Sequence, residues 1–231
     1  MKANNMKFLG LASKITIAAT ILFFVGTLSA MILYPGGTSQ DPSTIGYRFF
    51  ANFFSDLGRT VSFNGTPQTA SSILFNGSLI IMGIAIIPLF ATLPSLYLSN
   101  GIARKLFQFG GYAGIVAGLC YAGVGFTPWN LFFPQHMLFV KSAFILILVS
   151  MFLCAVALWL DNPLPLRYAI ILSLFSAAAA GYVWLLFFGP GFDTPRGFAI
   201  QVAGQKIIVY LELATLGVFA NGILKSAKIL S

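Results

Sequence analysis

Six long apolar runs set the layout of this chain. They cover residues 15–34, 71–93, 107–126, 136–160, 168–188 and 201–224. Each reaches about 20 residues, the length a helix needs to cross hydrocarbon at about 1.5 Å per residue. Turn-forming residues punctuate them: Pro35-Gly36-Gly37, Pro94, Pro128-Trp129, Asp161-Asn162-Pro163 and Gly189-Pro190-Gly191. Only helices and closed barrels satisfy every backbone polar group in lipid. Barrel strands show as alternating segments of about ten residues, whereas these runs are continuous. The pattern therefore predicts an all-α bundle of six transmembrane helices in a single membrane domain over residues 1–231. No soluble domain and no internal repeat stands out.

The longest polar stretch, residues 35–70, joins the first two runs. Within it Phe50, Phe53, Phe54 and Leu57 recur at helical spacing, with Asn52, Ser55, Asp56 and Arg59 opposite them. That predicts an amphipathic helix over residues 49–59. It would rest on the membrane surface, or turn its polar stripe toward the mouth of a cavity.

Composition agrees with the runs: 58% of residues are hydrophobic, 8% are charged and mean hydropathy is +0.90. A soluble domain carries about 25% charged residues. The net charge of +8 in a soluble protein would raise nucleic-acid binding, but no basic cluster supplies the footprint such binding needs. Instead the cations flank spans. With the N-terminus inside, Lys2, Lys7, Lys14, Arg104, Lys105, Arg167, Lys225 and Lys228 fall on the inner side and Arg48, Arg59 and Arg196 on the outer. The positive-inside rule then predicts both termini in the cytoplasm, in a plasma (inner) membrane. The run after the N-terminal lysines is too long for a signal-peptide core, and is read as a retained span. Cys120 and Cys154 lie in apolar runs and read as small core residues. Neither a CxxC motif nor a phosphate loop occurs, and one histidine cannot build a three-histidine zinc site; no cofactor or metal is expected.

Three ionisable residues fall inside the spans, where burial is costly and function is the default hypothesis. Lys141 and Lys206 lie near the outer end of their spans, Lys141 roughly 8 Å deep at about five residues, and both could snorkel to the interface. Glu212 is near the midplane and too short to snorkel, so it should face the bundle interior. Gln201, Gln205, Ile208 and Glu212 form one stripe on the sixth helix. The stripe suits either helix packing through side-chain hydrogen bonds or a polar cavity open to the outside. His136, the single histidine, opens span four. Glycines in span three, among them Gly110, Gly111, Gly114, Gly118 and Gly123, suit close helix approach, within a monomer or between subunits.

The segment Asn52-Phe53-Phe54-Ser55-Asp56-Leu57-Gly58 between the first two spans resembles the Frag1/DRAM/Sfk1 group and the related DUF998 membrane proteins. So do Tyr34-Pro35-Gly36-Gly37, Pro67, Ser71, Leu74-Phe75-Asn76, Gly83 and the histidine opening span four. The resemblance implies six transmembrane helices and tilts function toward lipid handling, while naming no reaction. Beyond that histidine, the second half of the chain offers no complete matching motif.

Three functions follow as expectations. In the first, a lipid or small anionic amphiphile enters an outward polar pocket, drawn by Arg59, Lys141, Arg196 and Lys206, with Gln205 lining it and Glu212 as counter-ion or proton carrier. In the second, a membrane-embedded hydrolase or transferase uses Asp56 and His136 as an acid-base pair and Ser55 as nucleophile; no GxSxG elbow is present. In the third, the protein is structural or regulatory and has no substrate.

Overall fold

The computed structural model describes residues 2–96, 101–161 and 163–230; Asn162, part of the break between spans four and five, and the side chains of Lys2 and Lys228 lie outside the described residues. Six helices follow one another: α1 (Lys2–Ile32), α2 (Thr69–Thr92), α3 (Ile102–Phe126), α4 (Phe133–Leu160), α5 (Arg167–Phe188) and α6 (Pro195–Leu230). All six are long and apolar enough to cross a membrane. This is an integral membrane protein with a six-helix bundle.

Helix limits run past the apolar runs. Lys7 and Lys14 belong to α1, and Arg104 and Lys105 sit in the first turn of α3 rather than in a loop. The sixth helix starts at Pro195. Thr194 caps it, its Oγ1 accepting the Gly197 N–H at 3.1 Å, and proline suits a first turn because its missing N–H has no helical partner there.

Each helix packs against its chain neighbours, and α1 packs against α6, so the six close into a ring. Small residues allow the tightest crossing. A Cβ on Gly83 of α2 would lie 2.5 Å from the Gly118 carbonyl oxygen of α3, and a Cβ on Gly118 would meet the Gly83 oxygen equally closely. Glycine at both positions brings the two backbones into contact. At one end of the ring the start of α1 meets the end of α6, with Gly10 against Leu224 and Ala227. The opposite end is covered by residues 33–68.

That covering segment departs from the amphipathic helix expected over residues 49–59. It makes a turn at Arg48–Asn52, where the Asn52 N–H reaches the Arg48 carbonyl at 2.8 Å, and then a five-residue 3-10 helix, Phe54–Gly58. Two residues of the expected polar stripe point inward: Asn52 is fully buried and Asp56 is 2% exposed, while Phe50 of the apolar stripe is 68% exposed. Gly37, at φ +85°, turns the chain after α1; its carbonyl accepts from both Tyr34 Oη (3.1 Å) and Asn52 Nδ2 (3.0 Å).

Candidate functional site

Asn52 and Asp56 organise the covering segment. The Asn52 side chain accepts the Arg48 N–H (3.0 Å) and donates to Gly37 O and to Asp56 Oδ2 (3.3 Å). Asp56 Oδ2 also accepts the Phe53 N–H at 2.8 Å, and Oδ1 accepts Trp129 Nε1 at 3.2 Å. Gln68 Nε2 donates to the Asp56 carbonyl at 2.6 Å. Asn76 Nδ2 of α2 reaches the Gly58 carbonyl at 2.9 Å. The short polar side chains thus take over backbone groups that no helix or strand satisfies. Burial pushes the Asp56 carboxyl up to about 6, against the pull of its Asn52 and Phe53 donors and, more weakly, of Arg59 and Lys206. Burial likewise raises the Tyr34 phenol to about 12, with the Asp56 charge adding to it.

Two residues of α6 fasten this segment to the bundle. Gln205 Oε1 accepts the Phe54 N–H at 2.8 Å. Lys206, 1% exposed, donates from Nζ to the Asn52 carbonyl. The rings of Tyr47, Phe49 and Phe54 surround that nitrogen at 5.5, 5.1 and 5.5 Å. The electron-rich ring faces and the carbonyl replace water around the ammonium. Lys206 therefore neither snorkels nor meets Glu212.

Beneath the cover lie two chambers. The outer one, with a volume of about 320 Å³, is walled by aromatic rings including Phe53, Trp129 and Phe198, and carries Asp56, His136, Gln201 and Gln205. The inner one, of about 70 Å³, lies among α1, α2, α3, α4 and α6 and ends at Glu212 and Tyr121. Ser55, His136, Val140 and Gln205 line both, so the two chambers adjoin at these four residues, here called the neck. At the inner end Tyr121 Oη donates to Glu212 Oε2 at 2.7 Å. His136 Nδ1 lies 2.7 Å from the Thr127 carbonyl. A carbonyl only accepts, so Nδ1 carries the proton and the neutral ring has its lone pair on Nε2.

The expected site residues divide accordingly. Ser55, Asp56, His136, Gln205 and Glu212 line the chambers. The four cations expected to draw an anion stand elsewhere. Arg59 lies between the rings of Phe63 (4.1 Å) and Trp129 (4.3 Å) and donates from Nε to Val61 O. Lys141 sits 5.0 Å from the Phe187 ring centre. Arg196 is exposed. Asp56 and His136 do not bond each other, since each has the separate partners given above. Sequence reasoning did not single out Tyr121, Trp129 or Gln68. In a lipid-buried span a tyrosine reads as apolar bulk, and nothing local marks its hydroxyl as the partner of an acid 91 residues away.

Among the described residues, no group of three His, Cys, Asp or Glu side chains is placed to hold a metal ion. Cys120 and Cys154 are buried and free. No protein-family model, curated protein or solved structure matches this chain.

Proposed function

We propose that this protein binds a membrane amphiphile, with the head in the outer chamber and the first part of its apolar chain passing the neck toward Glu212. The carrying observation is that the two chambers adjoin, with Ser55, His136, Val140 and Gln205 lining both. Binding sites for such ligands are concave and mostly apolar, with a few placed polar groups. Here those groups are carboxyl, imidazole, hydroxyl and amide. Arg59, Lys141, Arg196 and Lys206 are absent from both linings, so the head group we infer is uncharged rather than anionic.

The chambers open at the end of the bundle covered by residues 33–68, which carries Arg48, Arg59 and Arg196. Lys7, Lys14, Arg104, Lys105, Arg167 and Lys225 flank the opposite ends of the helices. That bias supports an outward-facing pocket and cytoplasmic termini.

Lipid mass spectrometry on protein purified in mild detergent tests the binding reading. A defined uncharged amphiphile should co-purify with the wild type and be lost in Val140→Trp, which fills the neck. Lys206→Met should not change the lipid's identity. An identical lipid profile in Val140→Trp, or no lipid above the detergent background, refutes it.

A further inference from the structure

The neck holds more chemistry than binding requires. Three of its four residues carry polar atoms that no group among the described residues satisfies: Ser55 Oγ, His136 Nε2 and Gln205 Nε2. Buried side-chain atoms without a partner comprise Gln68 Oε1 and Ser150 Oγ alone among the described residues. The three neck atoms are therefore open to the cavity rather than sealed in protein. Each is also oriented by its other end. The Thr127 carbonyl holds His136 Nδ1–H and leaves the Nε2 lone pair bare. The Phe54 N–H holds Gln205 Oε1 and leaves the amide nitrogen as a donor. Ser55 rides on the 3-10 helix that Gln205 anchors.

From this arrangement we propose that Ser55, His136 and Gln205 form an acyl-transfer site whose substrate is a carboxylic ester of a lipid. The proposal rests on the binding reading above and assigns that cavity a reaction. Nε2 of His136 takes the Ser55 hydroxyl proton as Oγ bonds to the ester carbonyl carbon. The carbonyl oxygen gains the electron pair, and the Gln205 amide N–H stabilises that oxyanion. Collapse breaks the bond from carbon to the alcohol oxygen, and the imidazolium returns the proton to the departing alcohol. The acyl group is now on Ser55. Water, or the hydroxyl of a second lipid, then attacks the acyl-serine while His136 takes its proton, and returns that proton to Ser55 Oγ as the acid or new ester leaves. Ser55 and His136 share no hydrogen bond; contacts of this kind commonly tighten when substrate binds. The backbone carbonyl of Thr127 orients the imidazole, the role a carboxylate fills in the serine-histidine-aspartate arrangement. Asp56 takes no part, because its oxygens are committed to Asn52, Phe53 and Trp129.

The test treats purified protein in lipid nanodiscs with an alkyl fluorophosphonate and locates the adduct by peptide mass spectrometry, alongside hydrolysis of 4-nitrophenyl hexanoate. The wild type should be labelled at Ser55 and should hydrolyse the ester. Ser55→Ala should abolish both while still co-purifying lipid. His136→Gln can still donate to Thr127 O but supplies no base, and should slow labelling at least tenfold. Gln205→Glu still accepts the Phe54 N–H but lacks the donor, and should slow ester turnover by a similar factor. Lipid retained without a Ser55 adduct, or an adduct on another residue, overturns the acyl-transfer site and leaves the binding reading standing. Absence of both lipid and adduct overturns both.

Discussion

Asp56 makes the protein's stability depend on pH in a direction opposite to that of an ion-paired carboxylate. Its partners, Asn52 Nδ2, Phe53 N and Trp129 Nε1, are all donors, yet none of them is a full charge. Burial dominates and raises its pKa from 3.8 to about 6. The folded protein therefore binds this proton more tightly than the unfolded chain. The stabilising contribution is fully present below the unfolded pKa and is lost as pH rises through the folded one. A shift of roughly two units corresponds to about 3 kcal/mol at full deprotonation, and to about 2 kcal/mol of lost stability between pH 4 and pH 7. Asp56→Asn removes the titration. Its NH2 group must face one of the three donors, which costs about 1 to 3 kcal/mol at every pH; the protonated acid, in contrast, keeps acceptor capacity on both oxygens. The variant should thus be less stable than the wild type at pH 4 and close to it, or above it, at pH 7.

Trp129 reports the event directly, because its Nε1 donates to Asp56 Oδ1. Trp159 and Trp184 are 55% and 60% exposed, so replacing both with Phe leaves Trp129 as the only indole of the chain's three. Fluorescence of this variant, followed against pH in micelles, should show a midpoint at about 6 that Asp56→Asn abolishes. Reversible unfolding in mixed micelles supplies the stability slope. His136 shares the outer chamber with Trp129, so the titration is repeated with His136→Gln. A midpoint at about 4, an inflection that survives Asp56→Asn, or one that disappears with His136→Gln would refute the assignment.

Three further outcomes follow from packing and topology. Gly118→Leu should separate α2 from α3 and cost about 1 to 3 kcal/mol or more by overpacking, read as a lowered unfolding midpoint in detergent. Lys206→Ala, which empties the space between three rings, should cost about 2 to 4 kcal/mol. Lys206→Met should stay within about 1 kcal/mol of wild type in the same assay, since it fills that space and the Asn52 carbonyl keeps the Tyr47 hydroxyl. With Cys120 and Cys154 replaced by Ala, a cysteine at the exposed Asn64 should react with an impermeant maleimide in intact cells, and one at Lys225 should react only after lysis.

How much of this was legible in the sequence depends on what each residue faces. The spans were readable because lipid is a uniform solvent: any long apolar run must cross it, and the six runs became six helices. Residues 49–59 form a turn and a short 3-10 helix rather than the expected amphipathic helix, because periodicity alone does not show that a polar stripe is needed by the backbone itself. Here Asn52 and Asp56 turn inward to satisfy an irregular backbone, and the glycine at position 58 packs beneath Asn76. Their four-residue spacing records two side chains that bond each other, Asn52 Nδ2 donating to Asp56 Oδ2, not a helix lying on a surface. The charges inside the spans were legible only halfway. That Lys206 and Glu212 must leave the lipid follows from the cost of burying charge. What receives them does not follow, because a backbone carbonyl, three ring faces and a tyrosine hydroxyl have no sequence signature. The expectation gathered Arg59, Lys141, Arg196 and Lys206 around an anionic ligand, with Glu212 as counter-ion or proton carrier. The folded chain instead gives Lys206 a backbone carbonyl and three ring faces and Glu212 the Tyr121 hydroxyl, and no cation lines either chamber. That division, with charges engaged at the walls and neutral polar atoms open to the cavity, is the physical reason an uncharged ester rather than an anion suits this site.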